Sequence, residues 1–90
     1  MRWLADVHVN LRPGIADPEG QTIASGLRAL GYAEVDDVRT GKIMRLALEA
    51  DDAEAARSRV DEMCRRLLAN PVMESYQFEV RADDVPGGDV

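Results

Sequence analysis

Basic residues, aromatic rings and cysteine are all scarce in this chain of 90 residues. Lys and Arg number 11 against 17 Asp and Glu, a formal net charge of −6. Nucleic-acid binding calls for a concentrated basic surface, so that charge argues against it. A lone cysteine, Cys64, rules out an internal disulfide and a cysteine-built zinc site. The aromatic residues are Trp3, Tyr32, Tyr76 and Phe78, so the core falls to Val, Leu, Ile, Met and Ala. No stretch approaches the roughly 20 apolar residues of a membrane span, and the first residues lack the apolar run of a signal peptide. The expectation is a soluble cytoplasmic protein.

What is there is ordinary for a globular domain, with 46% hydrophobic residues. A chain this short buries only roughly 60% of its unfolded surface, so its core is thin and self-association is a common remedy.

Trp3, Ala5, Val7, Val9 and Leu11 alternate with Leu4, Asp6, His8, Asn10 and Arg12. Period two predicts a strand with one buried face, ended by Pro13-Gly14. Asp17-Pro18-Glu19 reads as a helix start: an N-cap carboxylate, a proline where its missing N–H costs nothing, and an acid at the positive end of the dipole. Ile23, Ala24, Leu27 and Leu30 make one apolar stripe, and Gly31 is the stop. Gly20 and Gly26 each weaken such a helix by up to about 1 kcal/mol. Solvent exposure is the simpler reason for both, close approach of another backbone the other.

From Ala33 to Ala50 the pattern returns to strand, in two versions. One is a long strand, bent or bulged at Gly41. The other is a hairpin with Thr40-Gly41 as its loop. Thr40 is a poor residue for positive φ, which favours the bend. Asp51-Asp52 then caps a second helix, with Ala53, Ala56, Val60, Met63, Cys64, Leu67 and Leu68 at helical spacing. Asp61 with Arg65 and Glu62 with Arg66 are acid-before-base pairs at i,i+4. Asn70-Pro71 stops it, and Tyr76, Phe78 and Val80 alternate in a last strand. Residues 1–82 therefore form one domain, with 83–90 expected as a disordered acidic tail. The order β-α-β(β)-α-β predicts a small α+β, ferredoxin-like two-layer sandwich, its mostly antiparallel sheet carrying two helices on one face.

Chemistry is thin along this chain. His8 has Asp6 on its own strand face, the makings of a general-base pair, yet a solvated histidine there is far commoner. Ser25, Ser58 and Ser75 lie in no nucleophile-elbow sequence. Cys64 falls on an apolar stripe, where thiols serve as packing. The paired acids have no metal-loop spacing, and no phosphate-loop pattern precedes Gly41-Lys42. Arg39 and Lys42, flanking Thr40-Gly41, remain. They read either as charges protecting a strand edge or as a docking point for an acidic partner or anionic ligand.

Three motifs in order carry a resemblance over residues 3–81. They are Asp17-Pro18-Glu19-Gly20, then Leu30-Gly31-Tyr32 leading into Val38-Arg39-Thr40-Gly41-Lys42, then Cys64-Arg65-Arg66-Leu67-Leu68-Ala69-Asn70-Pro71-Val72-Met73-Glu74-Ser75-Tyr76, joined by Phe78-Glu79-Val80. Together they resemble the PurS family, the small subunit of formylglycinamide ribonucleotide amidotransferase (phosphoribosylformylglycinamidine synthase) in purine biosynthesis. Met73 and Ile43 depart mildly from the family pattern, and Arg12 stands where lysine is usual. The resemblance implies a non-catalytic subunit that binds no cofactor alone, within an ATP-, Mg- and glutamine-dependent carbon–nitrogen ligase complex. It implies a large synthetase subunit and a glutaminase subunit as partners, bridged by this chain, which would help ammonia pass between them. It also implies self-association as dimer or tetramer. Arg39, Gly41 and Lys42 are then the candidate subunit-interface residues. The alternative reading is a stand-alone, ACT-like dimeric module binding an amino acid or nucleotide.

Overall fold

The computed structural model describes residues 1–83. Its elements run β1 (Arg2–Leu11), α1 (Pro18–Ala29), β2 (Gly41–Glu49), α2 (Ala53–Met63), a π-helical turn (Cys64–Leu68) and β3 (Glu74–Ala82). Among the described residues the sheet has three strands in the order β2-β1-β3, antiparallel throughout. β1 is thus central. Val7 lies opposite Met44 on one side and Phe78 on the other, so alternation in one strand fixes a face of all three.

That face holds the core. Ala5, Val7, Val9, Val60, Cys64 and Ala69 are buried, with Met44, Leu46, Leu48, Leu68, Tyr76, Phe78 and Val80 half-buried around them. Trp3 is buried at one end, its indole N–H donating to the Ala50 carbonyl at 3.1 Å. α2 packs over β1 and β3. Asp52 caps it by accepting from the Ala55 N–H at 2.8 Å, and the pairs Asp61–Arg65 and Glu62–Arg66 form as the spacing predicts.

The architecture is the expected α+β sandwich, with three differences in detail. Residues 33–40 form no strand: β2 begins at Gly41, so neither the long bent strand nor the hairpin is present. Positive φ among the described residues is confined to Gly14 and Gly31, and no tight loop forms at Thr40-Gly41. Next, the second helix widens into a π turn, closed by the Ala69 N–H on the Cys64 carbonyl at 3.1 Å. That inserted register turns Leu67 off the apolar stripe, leaving it 83% exposed. Finally, α2 supplies the helical layer on the sheet, whereas α1 packs on residues 32–40. Gly20 and Ala24 are buried there; Ile23 and Leu30 are exposed. The chain is correspondingly elongated, 50 × 30 × 16 Å.

The expected tail falls almost wholly outside the described residues. Asp83 is described. Its N–H donates to the Arg2 carbonyl at 3.0 Å and its carboxylate accepts from Arg2 Nε at 2.7 Å.

Candidate functional site

Asp17 organises the region around Arg39, Gly41 and Lys42. It is almost fully buried. As N-cap of α1 it accepts from the Gly20 N–H at 2.9 Å, satisfying an otherwise orphaned donor. It also reaches across to the next connection, accepting from the Thr40 N–H at 2.6 Å and from Thr40 Oγ1 at 2.9 and 3.0 Å. The Thr40 and Gly20 N–H groups hold its carboxyl below the usual carboxylate range against the opposing effect of burial. The N-cap role was readable from Asp17-Pro18. Its partner Thr40 lies 23 residues on, and nothing in local spacing signals it.

Arg39 is exposed, but its guanidinium is engaged within the chain. Nη2 donates to the Ile15 carbonyl at 2.8 Å and to the Arg12 carbonyl at 3.3 Å. It therefore braces the β1–α1 connection. Gly41 opens β2 directly opposite Asn10. A Cβ there would sit 2.7 Å from both the Val9 carbonyl oxygen and Asn10 Oδ1, closer than side-chain carbons come to such atoms, so glycine is required by close approach. Lys42 is exposed, and among the described residues its ammonium makes no ion pair. It borders an open depression of about 270 Å³ shared with Glu19, Thr40 and Glu74. The three predicted residues thus lie together, with Lys42 the cation left facing outward.

The third sequence motif folds against the same end. Asn70 Oδ1 accepts from the Val72 N–H at 3.0 Å, an Asx turn, and Glu74 Oε1 accepts from the Asn70 N–H at 2.7 Å. Arg12 donates through Nε and Nη2 to the Pro71 carbonyl at 3.2 and 3.0 Å, and its N–H donates to the Met73 carbonyl. All three motifs are therefore tied, by Asp17, Arg39 and Arg12, into one corner of the molecule.

The Asp6–His8 pair does not form. Asp6 accepts from Arg45 Nε and Arg81 Nη1, both at 2.8 Å. Those two guanidinium groups, Arg45 foremost, hold its pKa down at about 2. Cys64 is fully buried, and desolvation pushes its thiol up. Tyr76 donates its hydroxyl to Asp61 at 2.6 Å, lowering the carboxyl and raising the phenol. No three His, Cys, Asp or Glu side chains converge as a metal ligand set among the described residues. No helix described is long and apolar enough to cross a membrane.

Comparison with known proteins covers nearly the whole described chain. Residues 4–82 match the model of the family "PurS: Phosphoribosylformylglycinamidine (FGAM) synthase". The chain is 49% identical to the phosphoribosylformylglycinamidine synthase subunit PurS of Synechocystis over 84% of its own length and 76% of the relative's. It is 45% identical to the same subunit of Archaeoglobus fulgidus, over 83% and 94%. Among solved structures, Methanocaldococcus jannaschii PurS superposes with a TM-score of 0.81 at 35% identity, over 91% of this chain and 99% of that one. A chain of the PurLQS structure from Thermotoga maritima gives 0.82 at 33% identity, over 90% and 99%.

Proposed function

The chain belongs to the PurS family, and from that premise we propose that it works as the small subunit of phosphoribosylformylglycinamidine synthase in the cytoplasm. In this reading it joins the large synthetase and glutaminase subunits, bridges them and supports ammonia transfer, while self-associating as a dimer or tetramer. ATP, Mg and glutamine are used by the assembled complex. The observation that carries the proposal is the full-length likeness to a chain of a PurLQS structure. The placement of some side chains agrees with it: Asp6 is engaged by Arg45 and Arg81, and Asp17 by Thr40, within the fold.

Arg39, Gly41 and Lys42 form part of the proposed contact with a larger subunit, in unequal roles. Arg39 and Gly41 shape the corner, by bracing carbonyls and by permitting close strand approach. Lys42 presents the charge. The test is co-purification of the full chain with the two larger subunits, with and without ADP and glutamine. A ternary complex is expected. Lys42→Glu should weaken capture at least about tenfold while circular dichroism stays unchanged. Persistent failure to form a complex would overturn the function, and undiminished capture of Lys42→Glu would remove Lys42 from the interface.

A further inference from the structure

We infer that the Thr40 hydroxyl, gripped by Asp17, is a positioning group for docking: it fixes the backbone from which Lys42 meets a larger subunit. The inference rests on the Lys42 contact proposed above and deepens it.

Asp17 does more than a helix start requires. An N-cap needs to accept only from a donor of its own helix, and the Gly20 N–H on Oδ1 at 2.9 Å meets that need. Oδ2 is turned to the other connection, where it accepts from the Thr40 N–H at 2.6 Å. Any residue at 40 other than proline would supply that N–H. The hydroxyl, 2.9 and 3.0 Å from the two carboxylate oxygens, is a short-armed donor that only serine or threonine brings. Asp17 is only 2% exposed, so its charge leans on these donors rather than on water.

The use of an extra link lies at the next residue. Gly41 opens an edge strand, and glycine has the most backbone freedom of any residue. A stiffer residue does not fit there, since its Cβ would stand 2.7 Å from the Val9 carbonyl oxygen and Asn10 Oδ1. Strand ends open most easily, and Lys42, one residue on, would move with such an opening. Thr40 pins the chain immediately before Gly41, and the pairing of Lys42 with Val9 pins it immediately after. The looseness of the glycine is closed from both sides.

The consequence falls on charge. Lys42 lines one depression with Thr40, Glu19 and Glu74. Glu74 Oε1 is occupied by the Asn70 N–H, and among the described residues Lys42 makes no ion pair with either acid. A Lys42 released from its place has two carboxylates at hand, and an ammonium folded onto either offers a partner no net charge. Held in place it is preorganised, and docking is relieved of the entropy loss of ordering it.

The test is a double-mutant cycle on the full chain, read as affinity for the two larger subunits. Thr40→Val keeps the shape and the backbone N–H but removes the hydroxyl, Thr40→Ser returns it, and Lys42→Ala removes the charge. Circular dichroism confirms the fold of each. Thr40→Val should weaken capture at least about fivefold, and Thr40→Ser should bring it back to within about twofold of the wild type. In a Lys42→Ala chain, Thr40→Val should change capture by less than about twofold, because the group it positions is gone. A Thr40 that only stabilises the fold would lower capture by the same factor in both backgrounds. That additivity, or undiminished capture by Thr40→Val, would overturn the positioning role alone. Undiminished capture by Lys42→Ala would overturn the Lys42 contact and this inference with it, and a wild type that binds neither subunit would overturn the function as well.

Discussion

One substitution, glycine to alanine, made at two places on α1, should have opposite effects. At Gly26 no atom beyond the adjoining residues and the helix's own backbone lies within 4 Å of where a Cβ would stand. Alanine in an exposed helix interior is favoured by about 1 kcal/mol, partly through a less flexible unfolded chain. For a domain this size that raises Tm by roughly 4–8 °C. At Gly20 the same Cβ would run into the Val38 carbonyl oxygen and lie 3.0 Å from Asp17 Oδ2. Val38 has little room to retreat, because Thr40 is held by Asp17 and Arg39 by Ile15. Overpacking of this kind costs about 1–3 kcal/mol, and the propensity gain, smaller in the first turn, offsets at most about 1 kcal/mol. The net loss at Gly20 is about 1–2 kcal/mol, so the two variants should melt roughly 10–20 °C apart. Thermal unfolding would be followed by circular dichroism at one protein concentration for all three chains, because association itself raises Tm. A Gly20→Ala chain as stable as the wild type would refute the close-approach account. A Gly26→Ala chain that melts lower would refute the reading of that position as open.

Acid should weaken the fold with a definite sign. Asp6, Asp17 and Asp61 are all lowered from an ordinary value near 3.8, Asp6 to about 2. The unfolded chain then binds more protons, so their contribution is present above the ordinary value and is lost as pH falls through the folded one. The melting temperature should hold from pH 7 to about 5 and drop between about 4 and 2, less steeply in Asp6→Asn; a rise on acidification would contradict this. Val60→Ala deletes two methyl groups from a fully buried site against the sheet and should cost about 2–3 kcal/mol in urea denaturation, where a loss below about 1 kcal/mol would mean the core collapses around the gap. Cys64, buried and with its thiol raised, should react with a thiol reagent only as fast as the protein opens; immediate labelling of the native chain would disprove its burial.

Local order was readable wherever its cause lies within a few residues. Alternation in β1 and β3, the caps Asp17 and Asp52, the stop at Gly31 and the i,i+4 pairs on α2 all follow from spacing. Residues 33–40 were misread as strand because their fate depends on Asp17 and on the packing of Gly20, both distant in sequence. Leu67 was placed on the wrong face because a single added residue in a helical turn leaves no mark on a 3.6-residue count. The corner motif at 38–42 stands out in the sequence. The pattern could not tell that Arg39 faces carbonyls of its own chain while Lys42 faces outward, since that depends on a loop 24 residues away.

The central place of β1 sets a timetable for the chain's birth. Of the described elements β1 is made first, yet one of its flanking strands is made last, with Trp3 opposite Ala82. At synthesis rates of roughly 5–20 residues per second, Val7 and Val9 wait some seconds for that neighbour. Until then a nascent strand of alternating valines has one edge open and, before α2 forms, an uncovered face. Ribosome-bound chains ending before Glu74 should leave Trp3 accessible to quencher, and release of the full chain should bury it in a single late step, a β pairing between distant segments that closes slowly.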